Sequence, residues 1–250
     1  MKPKDWNLLA ENYHKEIISP FQKGVKNSLF KELDKIKDSK NKVIADIGCG
    51  RGEILDILAS KFKKVYAIDF SPNMIDIAKK LSTRKNIKYI VKDIKNLSEF
   101  KNKFDVIVCV NSIMMPKIRN LKMALKSVYS TLKKDGVFLG IFPSMDSILY
   151  QGFLILEEQI GKHKDEKRAF RNTKRIFERK KYNFILGTYS DEGNIQKFYY
   201  DFELKIRLRD TGFKNIVLSK VLYPWGSEIS DFLDFPGKPK MWDWFVIARK

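Results

Sequence analysis

The chain has 250 residues, enough for one α/β domain with an elaboration and few for two full domains. Its formal charge of +19 comes from 49 basic against 30 acidic residues, and 39 of the basic ones are lysine, which fits a solvated surface as readily as an anionic partner because arginine is the favoured residue for bidentate phosphate recognition. Two cysteines and two histidines exclude a disulfide framework and a histidine-rich metal centre, so no metal is expected; with no apolar run for a secretion signal or a bilayer span, a cytoplasmic location is expected.

Residues 4–18 place Trp6, Leu9, Ala10, Tyr13 and Ile17 three and four apart, which predicts an amphipathic helix. After Ser19-Pro20 a second helical pattern runs through Phe21, Val25, Leu29, Leu33 and Ile36. Residues 1–38 thus read as N-terminal helices packed near the ligand end of the first strand. Val43 to Ile47 is a buried strand that turns through Gly48-Cys49-Gly50-Arg51-Gly52 into a helix over Ile54 to Phe62. Glycine suits that turn because a side chain would block either the backbone or a ligand lying on it. Lys64 to Asp69 is a second strand, ending in an acid 21 residues beyond Gly48 (69 − 48), where a carboxylate can accept both hydroxyls of a ribose.

Ser71-Pro72 reads as a cap and first turn for a helix through Met74, Ile75, Ala78 and Leu81, and Phe70 with Met74 offers an apolar surface for an adenine. Further strands are expected over Ile87 to Val91, Phe104 to Val110 and Val137 to Phe142, with a helix from Ile118 to Leu132. Strands alternating with helices, carrying near-continuous apolar runs, indicate a parallel sheet covered on both faces. Ligands sit beyond the C-terminal ends of such strands, which is where Asp46, Asp69, Asp93 and Asn111 fall.

Residues 144–200 are too long for a plain connection and read as a substrate-covering insertion. It holds a helix from Met145 to Ile160, a basic segment from Lys162 to Lys181, and a hairpin of Tyr182 to Tyr189 with Ile195 to Tyr200. In the basic segment Arg168, Arg171, Arg175 and Arg179 recur at spacings of three and four, near one helical face. That face is either solvated or a grip on RNA. Asp201 to Leu208 is a helix closed by Asp210-Thr211-Gly212, and Phe213 to Leu222 and Trp244 to Ala248 supply the last two strands. Between them Tyr223-Pro224-Trp225, Phe232, Phe235 and Trp242 wall an acceptor pocket or plug the sheet edge.

The glycine loop departs from the dinucleotide pattern G-x-G-x-x-G, since its third glycine comes one residue early. Asp46, two residues before the first glycine, would repel a pyrophosphate but suits an ammonium group. The run Asp46-Ile47-Gly48-Cys49-Gly50-Arg51-Gly52 resembles the first motif of the class I S-adenosylmethionine-dependent methyltransferases. The resemblance continues through Asp69, Val91-Lys92-Asp93-Ile94, Phe104 to Cys109 and Leu132 to Phe138, covering about residues 40–143. It implies a single domain with a Rossmann-like, seven-stranded, mostly parallel sheet, helices on both faces, the last strand antiparallel, and residues 144–200 as an inserted helix-hairpin lid.

The resemblance also implies S-adenosylmethionine as methyl donor and S-adenosylhomocysteine as product. Asp46 would counter the methionyl ammonium, Gly48, Cys49 and Gly50 would contact the cofactor through the backbone, and Asp69 would hold the ribose. Asp93 would accept from the adenine amine with Ile94 beside it, Phe70 and Met74 would cover the ring, and Tyr13 would approach from the N-terminal segment. Asn111 lies nearest the transferred methyl by strand position. A catalytic residue is not identifiable; His14, Tyr13 and Asn111 are the candidates. Asn111-Ser112-Ile113-Met114 lacks the prolines of motifs acting on base or glutamine amines, which favours a small-molecule acceptor. The alternatives are an RNA methyltransferase gripping through 162–181, a non-catalytic cofactor-binding scaffold and, last, a nicotinamide dehydrogenase. Oligomeric state stays open.

Overall fold

Apolar runs build a seven-stranded sheet in the computed structural model, which describes residues 19–163, 165–179, 181–191, 194–226 and 234–250. The strands in chain order are β1 (Val43–Ile47), β2 (Lys64–Asp69), β3 (Ile87–Val91), β4 (Phe104–Val110) and β5 (Leu132–Phe142). Three short strands, β6 (Tyr182–Asn183), β7 (Thr188–Asp191) and β8 (Asn194–Lys197), form a separate antiparallel sheet. Then β9 (Lys214–Tyr223) and β10 (Met241–Arg249) complete the main sheet, whose order is β3-β2-β1-β4-β5-β10-β9. Six strands run parallel, and β10 is inserted antiparallel to both β5 and β9. The expected Rossmann-like, seven-stranded, mostly parallel sheet with its last strand antiparallel holds.

The chain leaves β1 toward β2 on one side and returns to pair β4 on the other. That reversal leaves a crevice beyond the C-terminal ends of β1 and β4, the place where open α/β sheets bind ligands. Side chains alternate across the sheet. Ile44, Val106 and Leu139 meet α1 (Leu29–Asp34), α2 (Leu55–Lys61) and α3 (Pro72–Leu81) on one face. Ala45, Ile107 and Phe138 meet α4 (Ile118–Thr131) and, past α5 (Met145–Lys162) and α6 (Glu166–Arg179), α7 (Asp201–Thr211) on the other.

Local chemistry sets several boundaries. Ser71 caps α3 by accepting from the Met74 amide at 3.2 Å, with Pro72 in the first turn. Gly212 ends α7 at φ +115°, a conformation glycine adopts without strain. The helix expected over 21–36 is a correction: only Leu29–Asp34 is helical. Gly24 sits at φ +88°, and Lys26 instead exchanges two backbone bonds with Leu222 at 2.9 and 3.0 Å. Strand β9 lies at the sheet edge, where unpaired backbone groups draw a passing segment. Phe21 and Val25 still pack on the α1–α3 face, so the apolar spacing was satisfied without a helix. Strand β5 starts at Leu132 rather than Val137, and the basic helix spans Glu166–Arg179 rather than 162–181. Residues 4–18, with Tyr13 and His14, and Phe232 lie outside the described residues. No helix among the described residues is long and apolar enough to cross a membrane.

Candidate functional site

The loop after β1 is pinned by two amides, Gly48 N and Cys49 N, which both donate to Ile68 O at 2.7 and 3.1 Å. Its glycines serve different needs. Gly48, at φ +78°, faces the turn after β4, where an added Cβ would lie 2.2 Å from the Ser112 Cβ. Ser112 is itself fixed by donating to Ile47 O at 2.9 Å. Gly52 lets α2 approach α3, since a Cβ there would meet Leu55 and Ala78 at 2.7 and 3.2 Å. Gly50, at φ +51°, has nothing within 4 Å of its Cβ position. It faces an open cleft of ≈ 490 Å³ bounded by Ser19 to Phe21, Asp46, the loop through Ile54, and Val110-Asn111.

Two acids define the electrostatics. Asp46 is 3% exposed, and burial first, then the neighbouring Asp69 and Glu53, pushes its pKa up to about 8. Asp69, also buried, is raised by burial, against which the backbone amides of Ser71, Gly50 and Phe70 act. Its Oδ2 accepts from Gly50 N at 3.0 Å and its Oδ1 from Ser71 N at 2.9 Å. With the Phe70 amide as a third donor, one lone-pair position of the carboxylate remains for a ligand hydroxyl.

The structure therefore gathers Asp46, Gly48, Cys49, Gly50 and Asn111 around one cleft, with Asp69 bonded to its floor. Phe70, Met74, Asp93 and Ile94 lie beyond the ends of β2 and β3 and do not line that cleft. Met74 is buried, and Asp93 accepts from the Lys95 amide at 2.9 Å. Burial raises the Cys49 thiol well above its usual range, so it stays a neutral, small residue.

Sequence reasoning missed several participants. Arg51 lines the cleft, and its Nε is buried without a partner among the described residues. Glu53 accepts from Ser19 Oγ at 2.6 Å, tying the segment before α1 to the loop. Asn111 follows β4 at φ +45°, with its amide donating to Ile141 O at 2.9 Å. Behind it, Tyr223 Oη donates to Asp243 Oδ2 at 2.6 Å and Asn111 Nδ2 reaches the same oxygen at 3.5 Å. The one available signal for Asp243 was an acid inside the apolar run Met241 to Ala248.

Away from the residues that line this cleft, α5 and α6 pack with Trp225 and Phe235: Leu154, Ile155 and Phe235 form a cluster joined by Tyr150, Ile176 and Trp225. Gln151 on α5 is fully buried with neither amide atom paired. On α6, Arg168, Arg171 and Arg175 are exposed, while the Arg179 side chain lies outside the described residues.

A family model described as a methyltransferase domain matches residues 44–136. The chain is similar to malonyl-[acyl-carrier protein] O-methyltransferase of Bacillus anthracis, at 29% identity over 139 residues, 54% of this chain and 50% of the relative. It is similar to ubiquinone biosynthesis O-methyltransferase of Coxiella burnetii at 26% over 133 residues, 52% of this chain and 53% of the relative. The chain thus spans about half the length of the curated relatives it matches. Among solved structures, N-methyltransferase NodS of Bradyrhizobium japonicum, crystallised with S-adenosylhomocysteine, shares the fold with a TM-score of 0.54 at 13% identity, over 84% of this chain and 78% of that one.

Proposed function

We infer, from the match of residues 44–136 to a methyltransferase-domain family model and from the cleft beyond β1 and β4, that this cleft binds S-adenosylmethionine and presents its methyl to a small acceptor. The observation that carries this reading is Asp46, a buried acid in an open cleft with no cation bonded to it among the described residues, within the field of a second acid that retains a position for a ligand hydroxyl. A ligand with an ammonium group and a ribose complements both. The unpaired Arg51 Nε would take the carboxylate of the same amino-acid moiety, and Gly50 leaves room for it against the backbone. Asp93, Ile94, Phe70 and Met74 would serve the adenine end, and Tyr13 the N-terminal side.

The bound cofactor supplies an already activated methyl group, so the work left to this chain is alignment and exclusion of water. Residues 144–200 and the loop at 223–242 would cover the acceptor, and the buried Gln151 amide of α5 is the polar group that this side of the molecule would have to offer it. Both named relatives are O-methyltransferases, and an oxygen acceptor is the reading adopted here. RNA is the second reading, supported by the exposure of Arg168, Arg171 and Arg175 on one helix.

Calorimetric titration with S-adenosylhomocysteine tests the cofactor assignment. Asp69→Ala should weaken binding by roughly 2–4 kcal/mol, the scale of charge-assisted hydrogen bonds left unmade. Unchanged affinity in a variant that melts cooperatively would overturn the ribose role.

A further inference from the structure

The cofactor reading leaves one buried polar chain without a purpose. Tyr223 closes β9, Asp243 lies on β10, and Asn111 leaves β4, all at the ligand end of the sheet. Asp243 Oδ2 accepts from Tyr223 Oη at 2.6 Å and has Asn111 Nδ2 at 3.5 Å. A carboxylate can only accept, so the nitrogen of the Asn111 amide must face it and Oδ1 must face away. That oxygen is buried and has no partner among the described residues. Such an atom is normally paired, and its residue turns the chain at φ +45°, a conformation asparagine adopts more readily than most other non-glycine residues. Asn111 also lines the cleft that holds Asp46 and Gly48.

We propose that Tyr223 and Asp243 are positioning residues that hold Asn111 with its amide oxygen toward the cleft, so that this wall distinguishes a positively charged sulfonium from a neutral thioether. The inference rests on the cofactor reading above. A sulfonium presents carbons with positive partial charge and no N–H or O–H, and a bare acceptor backed by a carboxylate complements it through C–H···O and charge–dipole attraction. S-adenosylmethionine and S-adenosylhomocysteine share ammonium, ribose and adenine, so Asp46 and Asp69 treat them alike. The sulfur end alone tells them apart.

The groups that face Asp243 among the described residues are Tyr223 of β9, Asn111 and the backbone amide of Ser144 before α5. Asp146 of α5 is engaged by the Trp244 indole and the Asp201 amide, and Lys220 of β9 lies over the Trp242 ring. Burial raises the Asp243 carboxyl to about 6 against the lowering effect of its three donors. Its charge is therefore present above that pH and lost below it.

The experiment is calorimetric titration of both ligands into the wild type, Asn111→Ala, Asp243→Asn and Tyr223→Phe near pH 7.5, and into the wild type again near pH 5.5. The sulfonium-to-thioether affinity ratio should fall about fivefold or more in Asn111→Ala and Asp243→Asn and in the wild type at the lower pH, the scale of a lost charge–dipole contact of about 1 kcal/mol. Tyr223→Phe should lower it less. A ratio that stays within about twofold under all these conditions overturns the proposal while leaving the cofactor reading intact. Absence of binding by either ligand to the wild type removes both. Should Asp243→Asn fail to fold, the wild-type pair of pH values decides.

Discussion

Asp46 carries a cost that its neighbourhood does not relieve. In the folded chain its carboxyl titrates at about 8, against 3.8 for the unperturbed group, chiefly because burial disfavours the charge. Between those two values the folded state holds a proton that the unfolded state has lost, so stability contributed at this site falls as pH rises through the interval. Asp46→Asn should accordingly stabilise the ligand-free protein near pH 8 by about 2 kcal/mol, or roughly 4–8 °C in melting temperature. The same change should abolish binding of S-adenosylhomocysteine, since the ammonium loses its counter-charge. On the proposed assignment that ammonium would restore the ionised carboxylate in the wild type, so binding should release a proton and affinity should climb from pH 6 to 8 and then level. Titration in buffers of different ionisation enthalpy measures the proton directly; zero release at pH 7 would remove Asp46 from the ammonium site.

At the scale of the element, the β1 loop separates folding from binding within three residues. Gly48→Ala places a Cβ 2.2 Å from the Ser112 Cβ, at φ +78°, and the turn after β4 would have to move. A loss of about 3 kcal/mol or more in stability is expected from overpacking added to the backbone penalty. Gly50→Ala meets no atom, so its stability cost should stay near the 1–2 kcal/mol of a left-handed alanine, while its methyl occupies the cleft and weakens cofactor binding. Thermal melts beside ligand titrations separate the two, and equal effects on both variants would contradict these roles. This loop and strands β1 to β4 were legible in the sequence because parallel strands are near-continuous apolar runs, and Gly48 and Asp69 mark where the first two end. Residues 21–28 were not, because a 3.6-residue spacing reports which side chains are buried and not how the backbone gets them there. The pairing of Tyr223 with Asp243 was hidden for another reason. It depends on β10 pairing antiparallel beside β9, with Asp243 opposite Val221, a register no local pattern encodes.

For the molecule as a whole, the question is what the charge of +19 is for. The cleft beyond β1 and β4 is not a basic channel: Asp46 and Glu53 line it beside Arg51, with Asp69 bonded to its floor, so a polyanion threaded there would find little basic charge to hold it. The basic residues that could hold such a chain, Arg168, Arg171 and Arg175, lie on α6, whose main packing partner is α5 rather than the β1 loop. Reversing two of them in Arg171→Glu/Arg175→Glu removes four units of charge (19 − 4 = +15) from an exposed helix face. Surface changes of this kind move stability by about 0.5 kcal/mol, and cofactor affinity should stay within about twofold. The decisive reading is where the methyl goes. With labelled S-adenosylmethionine and a fractionated cell extract, label should enter the low-mass fraction, survive ribonuclease and persist in the double variant. If the label instead enters a ribonuclease-sensitive fraction, falls steeply between about 50 and 200 mM salt and is lost in the variant, counterion release at α6 is the driving force and the acceptor is RNA.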